Sequence, residues 1–249
     1  MGNKVAKVTL TFWIMKICAT TLGETGGDLL SMTLNIGYAV SALILIGFFL
    51  LTVSGKIMYE KFNPVLYWTV ILSTSMAGTE ISDFMDRTLN LGYTKGSLIL
   101  VTLLLAVLAI WYFSEKSLSV SNIQTRKAEI FYWAAILFSN TLGTALGDFL
   151  ADSSGLGFLG SALLIGSLIG LIVLVYFFTK FSRVVLFWIA FILTRPFGAT
   201  FGDFLTKPSD KGGLNLGTVG SSLVLLSLLV FFIVFTTLRE RSRKVFRKG

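Results

Sequence analysis

T-L-G-E-T-G-G-D at residues 21–28, with F-W before it at 12–13 and L-N-I-G-Y after it at 34–38, is a pattern that the chain writes four times. The second copy reads Y-W at 67–68, G-T-E-I-S-D at 78–83 and L-N-L-G-Y at 89–93. The third reads Y-W at 132–133, T-L-G-T-A-L-G-D at 141–148 and G-L-G-F at 155–158. The fourth reads F-W at 187–188, G-A-T-F-G-D at 198–203 and L-N-L-G at 214–217. Asp28, Asp83, Asp148 and Asp203 are spaced by 55, 65 and 55 residues, and Trp13, Trp68, Trp133 and Trp188 by the same intervals. Three landmarks agreeing in one register mark tandem repetition. The longer middle interval coincides with a charged stretch, so the chain reads as two halves of two repeats. The expected boundaries, within a single membrane domain at 1–249, are repeats at 8–60, 63–115, 128–180 and 183–240, an inter-half loop at 115–128 and a basic tail at 239–249.

Composition says what surrounds these repeats. The chain has 249 residues, 54% of them hydrophobic and 14% charged, and its mean hydropathy is +0.81. Soluble domains average about 45–50% apolar and about 25% charged, so a soluble globule and a disordered chain are both excluded. A membrane-spanning helix needs about 20 apolar residues. Eight runs qualify, near 9–31, 37–57, 64–85, 94–114, 129–150, 157–179, 184–205 and 217–238. The first is too long for a signal peptide and no small-residue cleavage site follows it.

An even number of spans puts both termini on one side. The loops of that side carry Lys4, Lys7, Lys56, Lys61, Lys116, Arg126, Lys127, Lys180 and Arg183, and the tail adds Arg239, Arg241, Arg243, Lys244, Arg247 and Lys248. The opposite loops hold only Arg87, Lys95, Lys207 and Lys211. The positive-inside rule therefore predicts cytoplasmic termini, with the tail at anionic headgroups. Because the net charge of +8 sorts to one face, nucleic acid is not an expected partner and the lipid bilayer is. The expected fold is an all-α membrane protein of eight transmembrane helices. It is built as four tandem parallel two-helix hairpins, pseudo-symmetric about the membrane normal, with a central site or a filled core on the axis.

With no His and one Cys, the chain lacks the ligands that zinc and copper favour, and no Ser-His-Asp triad is available. No P-loop, Rossmann or metalloprotease motif occurs. No enzyme activity and no cofactor are expected. On a 3.6-residue helix, Lys16, Thr20, Glu24 and Asp28 advance by about 40° per step, so they share one arc with Gly23, Gly27 and Ser31. Gly23/Gly27, Gly78/Ser82, Gly143/Gly147 and Gly198/Gly202 are small-xxx-small pairs suited to close helix packing, or to a narrow waist for an ion.

Inside the spans lie six acids, Glu24, Asp28, Glu80, Asp83, Asp148 and Asp203, against two bases, Lys16 and Arg195. Ionisable residues in spans face the interior or pair, and this excess implies that pairing cannot use all six. Asp28 follows Trp13 by fifteen residues, about 22 Å of rise, which puts the four aspartates at one outer level. Such a ring attracts cations, and oxygen ligands suit hard ions. The alternative is that each Asp caps a helix or pairs locally. Arg195 takes the position of Thr20, Ser75 and Asn140 and precedes Pro196, which kinks or breaks a helix; its expected partner is Glu24 or Glu80. Lys16 is expected to snorkel to the cytoplasmic surface, and Trp111 to anchor at the interface. The four repeated tryptophans fit either an aromatic belt or an inward ring that gates a pathway.

In repeat count, span count and shared tryptophan the chain resembles a bacterial membrane family of four tandem two-helix repeats, catalogued as a repeat of unknown function. The resemblance covers nearly the whole chain. It implies a bacterial membrane protein and supplies no activity; with both termini cytoplasmic, the inner membrane is the expected location. The residues point to movement of a small cation, a divalent metal of Mn/Mg type with or without proton coupling. Asp28, Asp83, Asp148 and Asp203 would bind the metal, helped by Glu24 and Glu80, with Arg195 and Lys16 tuning the charge. A carrier for a small organic cation, held on the indoles by cation–π contacts, and a non-transporting scaffold or regulator are the alternatives. A homo-oligomer is left open.

Overall fold

The computed structural model describes residues 3–59 and 61–246, with the side chains of Asn122 and 240–246 excepted. The basic tail beyond Arg239 therefore falls outside the described side chains. Eight long helices are present: α1 (Leu10–Asp28), α2 (Tyr38–Met58), α3 (Pro64–Asp83), α4 (Gly92–Glu115), α5 (Arg126–Asp148), α6 (Gly157–Phe178), α7 (Arg183–Thr206) and α8 (Thr218–Phe246). Each odd-numbered helix starts on a side-chain cap, which satisfies amide groups that the first turn leaves orphaned. Thr9 accepts from Phe12 N, Asn63 from Leu66 N, Thr125 from Ala128 N and Ser182 from Val185 N.

At the far end of α1, α3 and α5, the aspartate is followed by one π-helical turn, at Leu29–Thr33, Phe84–Thr88 and Phe149–Ser153. The L-N-x-G motif then reverses the chain. Asn35, Asn90 and Asn215 hold φ near 54–55° and Gly37, Gly92 and Gly217 hold φ of 70–82°, backbone states that Asn and Gly tolerate best. Repeat three substitutes Gly155 and Gly157, also at positive φ.

The odd helices close into a ring, α1 against α3, α3 against α5, α5 against α7 and α7 against α1. Glycines set each interface. A Cβ on Gly78 would meet Thr141 N at 2.9 Å, and one on Gly198 would meet Thr20 Oγ1 at 2.5 Å; Gly23 and Gly143 face Ser75 and Arg195 in the same way. With Asn140 at 3.0 Å from the same point on Gly78, the glycine of each repeat meets the next repeat's residue three positions earlier in register, and the fourth meets the first. These glycines serve packing and do not line a waist.

The even helices sit outside, α2 on α3, α4 on α5, α6 on α7 and α8 on α1. The expected hairpins are corrected here: the two helices of one repeat pack little on each other, because the turn swings the second onto its neighbour. Among the described residues, six helices, α2 and α4 to α8, are long and apolar enough to cross a membrane. α1 and α3 are long enough but carry more polar residues, among them Lys16, Glu24 and Asp28 on α1 and Glu80 and Asp83 on α3, which are buried.

Candidate functional site

Residues four apart on the odd helices stack as layers inside the ring. Where the helices begin, Phe12 and Phe187 lie 6.4 Å apart between ring centroids and the hydroxyls of Tyr67 and Tyr132 share a 2.6 Å hydrogen bond. These residues precede the repeated tryptophans, which pack between neighbouring helices: Trp68 on Phe12, Trp133 on Tyr67 and Trp13 on Phe187, at 5.5–5.7 Å. The fourth junction is filled by Trp111, which meets Trp188 at 5.8 Å and Tyr132 at 6.4 Å. The indoles therefore form no axial gate of their own, and Trp111, 1% exposed, is a wedge and not an interface anchor. The inter-half loop covers this end. Trp188 Nε1 donates to Leu118 O at 3.0 Å, and Lys4 N to Ile123 O at 3.0 Å. Lys4 and Lys56, which the charge count placed in loops, are buried on Glu129 at 3.0 and 2.7 Å.

Lys16 does not snorkel. It is fully buried because its stem rises from the inner arc of α1, walled off by α3 and α7. Its ammonium donates to Asn140 Oδ1 at 3.2 Å and lies 4.1 Å from the centre of the Phe191 ring. Asn140 in turn donates to Thr74 Oγ1 at 3.0 Å.

One layer on, α7 runs unbroken through Pro196, and Arg195 crosses the ring. Its guanidinium donates to Glu24 Oε2 at 2.9 Å and to Thr79 Oγ1 at 2.5 Å. Glu24, of the two expected partners, is thus the one bonded. Glu80 is fully buried, and among the described residues neither of its carboxylate oxygens has a hydrogen-bond partner; the adjacent Ser31 hydroxyl donates to Gly27 O at 3.2 Å instead.

Asp28, Asp83, Asp148 and Asp203 lie one layer further out, each buried, and they are not an evenly charged ring. Arg87 joins Asp83 at 2.8 Å to Asp148 at 3.3 Å. Lys207 joins Asp28 at 2.6 Å to Asp203 at 3.2 Å. Pairing leaves Glu80 over, as the excess of acids implied, but it engages all four aspartates, because the loops supply two bases that a count inside the spans omits. The signal was present, since Arg87 follows Asp83 and Lys207 follows Asp203 by four residues, which is one step along the same arc. Burial works against the charge of Lys207, but the carboxylates of Asp203 and then Asp28 raise its pKa above the usual lysine range.

Ligand oxygens of Glu24, Asp28 and Asp203 lie within 4.8 Å of one another, an all-oxygen set of the kind that holds hard cations. Glu80 borders it, since a Cβ on Gly27, between Glu24 and Asp28, would stand 3.0 Å from Glu80 Oε1. Asp83 and Asp148 stay with Arg87, outside this trio. A cavity of about 530 Å³ lies elsewhere, between α1, α6, α7 and residues 118–121; its mainly apolar lining, with Trp13, Ile169 and Val173, holds none of the six acids.

Ring and site define a class: tandem-repeat, membrane-type helical proteins whose polar residues are enclosed by their own first helices. Residues 11–62, 66–117, 131–182 and 186–242 match the family described as Repeat of Unknown Function (DUF347), and the chain belongs to that family. No curated protein and no solved structure matches it.

Proposed function

We propose that the chain moves a small cation, a divalent metal of Mn/Mg type, across a bacterial inner membrane through the carboxylates enclosed by its ring. The reading takes all eight helices as spans, with both termini in the cytoplasm. Ring geometry supports α1 and α3 as spans: they pack in register beside α5 and α7, and their 19 and 20 residues rise about 28–30 Å, the thickness of a bilayer core. The observation that carries the functional reading is the convergence of Glu24, Asp28 and Asp203 within 4.8 Å, enclosed by helices whose outer surface is apolar. Carboxylates are costly in such a place unless they pair or bind.

The test is flux of Mn²⁺, Mg²⁺ and protons into proteoliposomes holding the wild type or Asp28→Asn. Metal flux lost in the variant is the expected result. Well-folded wild type that passes none of these ions would end the reading. A second reading, a scaffold that transports nothing, is favoured by the salt bridges that already engage all four aspartates. It expects Asp28→Asn to lower stability with no flux to lose.

A further inference from the structure

Lys207 occupies the position that a bound cation would take. Its ammonium donates to Asp28 Oδ2 at 2.6 Å and to Met32 Sδ at 3.6 Å and is ion-paired with Asp203 Oδ1 at 3.2 Å. The two carboxylates belong to the trio with Glu24. Arg87 plays the matching part for Asp83 and Asp148, yet the halves differ in three respects. The residues of repeats two and three that align with Glu24 are Thr79 and Thr144, so the third carboxylate at Arg87 is the exposed Asp152, 4.0 Å away, and no buried one joins Asp83 and Asp148. Arg87 is a planar fork shared among carboxylates, a geometry that fixes a pair, whereas a lysine ammonium is a compact point charge on a flexible stem. Lys207 is also the first residue beyond α7, at the base of a longer loop. Asp203 to Asn215 spans twelve positions, where Asp28 to Asn35 and Asp83 to Asn90 span seven.

Charge favours exchange with a divalent ion. Arg195 answers Glu24, which leaves two carboxylates to one ammonium; a divalent ion would balance them fully. An independent feature points to a ligand as well. Glu80, fully buried and unpartnered on both oxygens, lies against Gly27 beside the trio. A buried carboxylate left unpaired is expensive; with Glu80 counted, three carboxylates face one ammonium, and a divalent ion in its place would halve the uncompensated charge.

We infer that Lys207 is a tethered counter-cation which occupies the Glu24–Asp28–Asp203 site at rest, and that a divalent metal enters by displacing its ammonium towards the outer loop. The inference rests on the cation reading above and assigns that reading a gate.

Calorimetric titration of the purified full chain with Mn²⁺ alone tests it, on wild type, Lys207→Gln and Asp28→Asn. If Lys207 vacates the site in a tenth of molecules or fewer, removing it raises Mn²⁺ affinity about ten-fold or more, and Asp28→Asn abolishes binding. Equal affinity in wild type and Lys207→Gln, with Asp28→Asn inactive, overturns the displacement and leaves the site standing. No Mn²⁺ binding by any of the three overturns site and gate together. Acylation of Lys207 in the wild type gives a check that does not depend on how the variant folds: saturating Mn²⁺ must speed labelling of that amine, and an unchanged rate with Mn²⁺ bound contradicts the inference.

Discussion

Arg195 departs from its repeat, since Thr20, Ser75 and Asn140 hold the same position elsewhere, and it is the residue on which the interior charge turns. It is fully buried and its ion pair with Glu24 is 2.9 Å long. Removing one partner of such a pair strands the other, at about 3–5 kcal/mol, while replacing both with apolar groups is often neutral. Arg195→Met is therefore expected to lower the unfolding temperature in detergent sharply, and Arg195→Met with Glu24→Leu to recover most of the loss. Strictly additive losses would show that the two do not act as a pair. Helical register made this contact readable in the sequence, because both residues share a depth. The same register put Lys16 on the inner arc but could not say which way its stem turns. That is settled by Asn140, 124 residues away. Arg87 and Lys207 were legible as i+4 partners of Asp83 and Asp203, yet a count by loops gives them to the surface.

At the scale of helices, four glycine interfaces close the ring. Gly78 has Thr141 N and Asn140 within 3.0 Å of where a Cβ would sit, all part of the facing helix, whereas Gly170 has nothing within 4 Å. Overpacking costs about 1–3 kcal/mol. Gly78→Ala is expected to destabilise by about that much and Gly170→Ala to leave the unfolding temperature unchanged. Equal effects at both positions would mean that the odd helices do not meet where described. Spacing announced these residues as packing faces, but it could not name the partner: each repeat's glycine is matched to the next repeat's side chain, which only the closed ring reveals. The aromatic end was left between two readings for a related reason. Trp repeats more strictly than the residue before it, so the eye goes to Trp13, Trp68, Trp133 and Trp188, while Phe12, Tyr67, Tyr132 and Phe187 meet inside the ring.

For the whole molecule, repeat count and parallel repeats were plain in the sequence, but the exchange of outer helices was not. Neighbours in sequence are usually neighbours in space, and here a π-turn followed by a positive-φ residue, Asn35, Asn90 or Gly155, carries α2, α4 and α6 one position onward, until α8 covers α1. Orientation has its own test. On a Cys18→Ser background, Lys211→Cys in intact cells is expected to react with a membrane-impermeant maleimide, and Lys180→Cys only after permeabilisation; the reverse pattern would invert the topology. The central claim is that the enclosed acids divide into one exchangeable pair and one fixed pair. Mn²⁺ flux into proteoliposomes, compared between Asp28→Asn and Asp148→Asn at matched folded protein, tests it most directly. The account expects flux to vanish in Asp28→Asn and to persist in Asp148→Asn, whose carboxylate serves Arg87. Equal loss in both, or flux that survives Asp28→Asn, would contradict it.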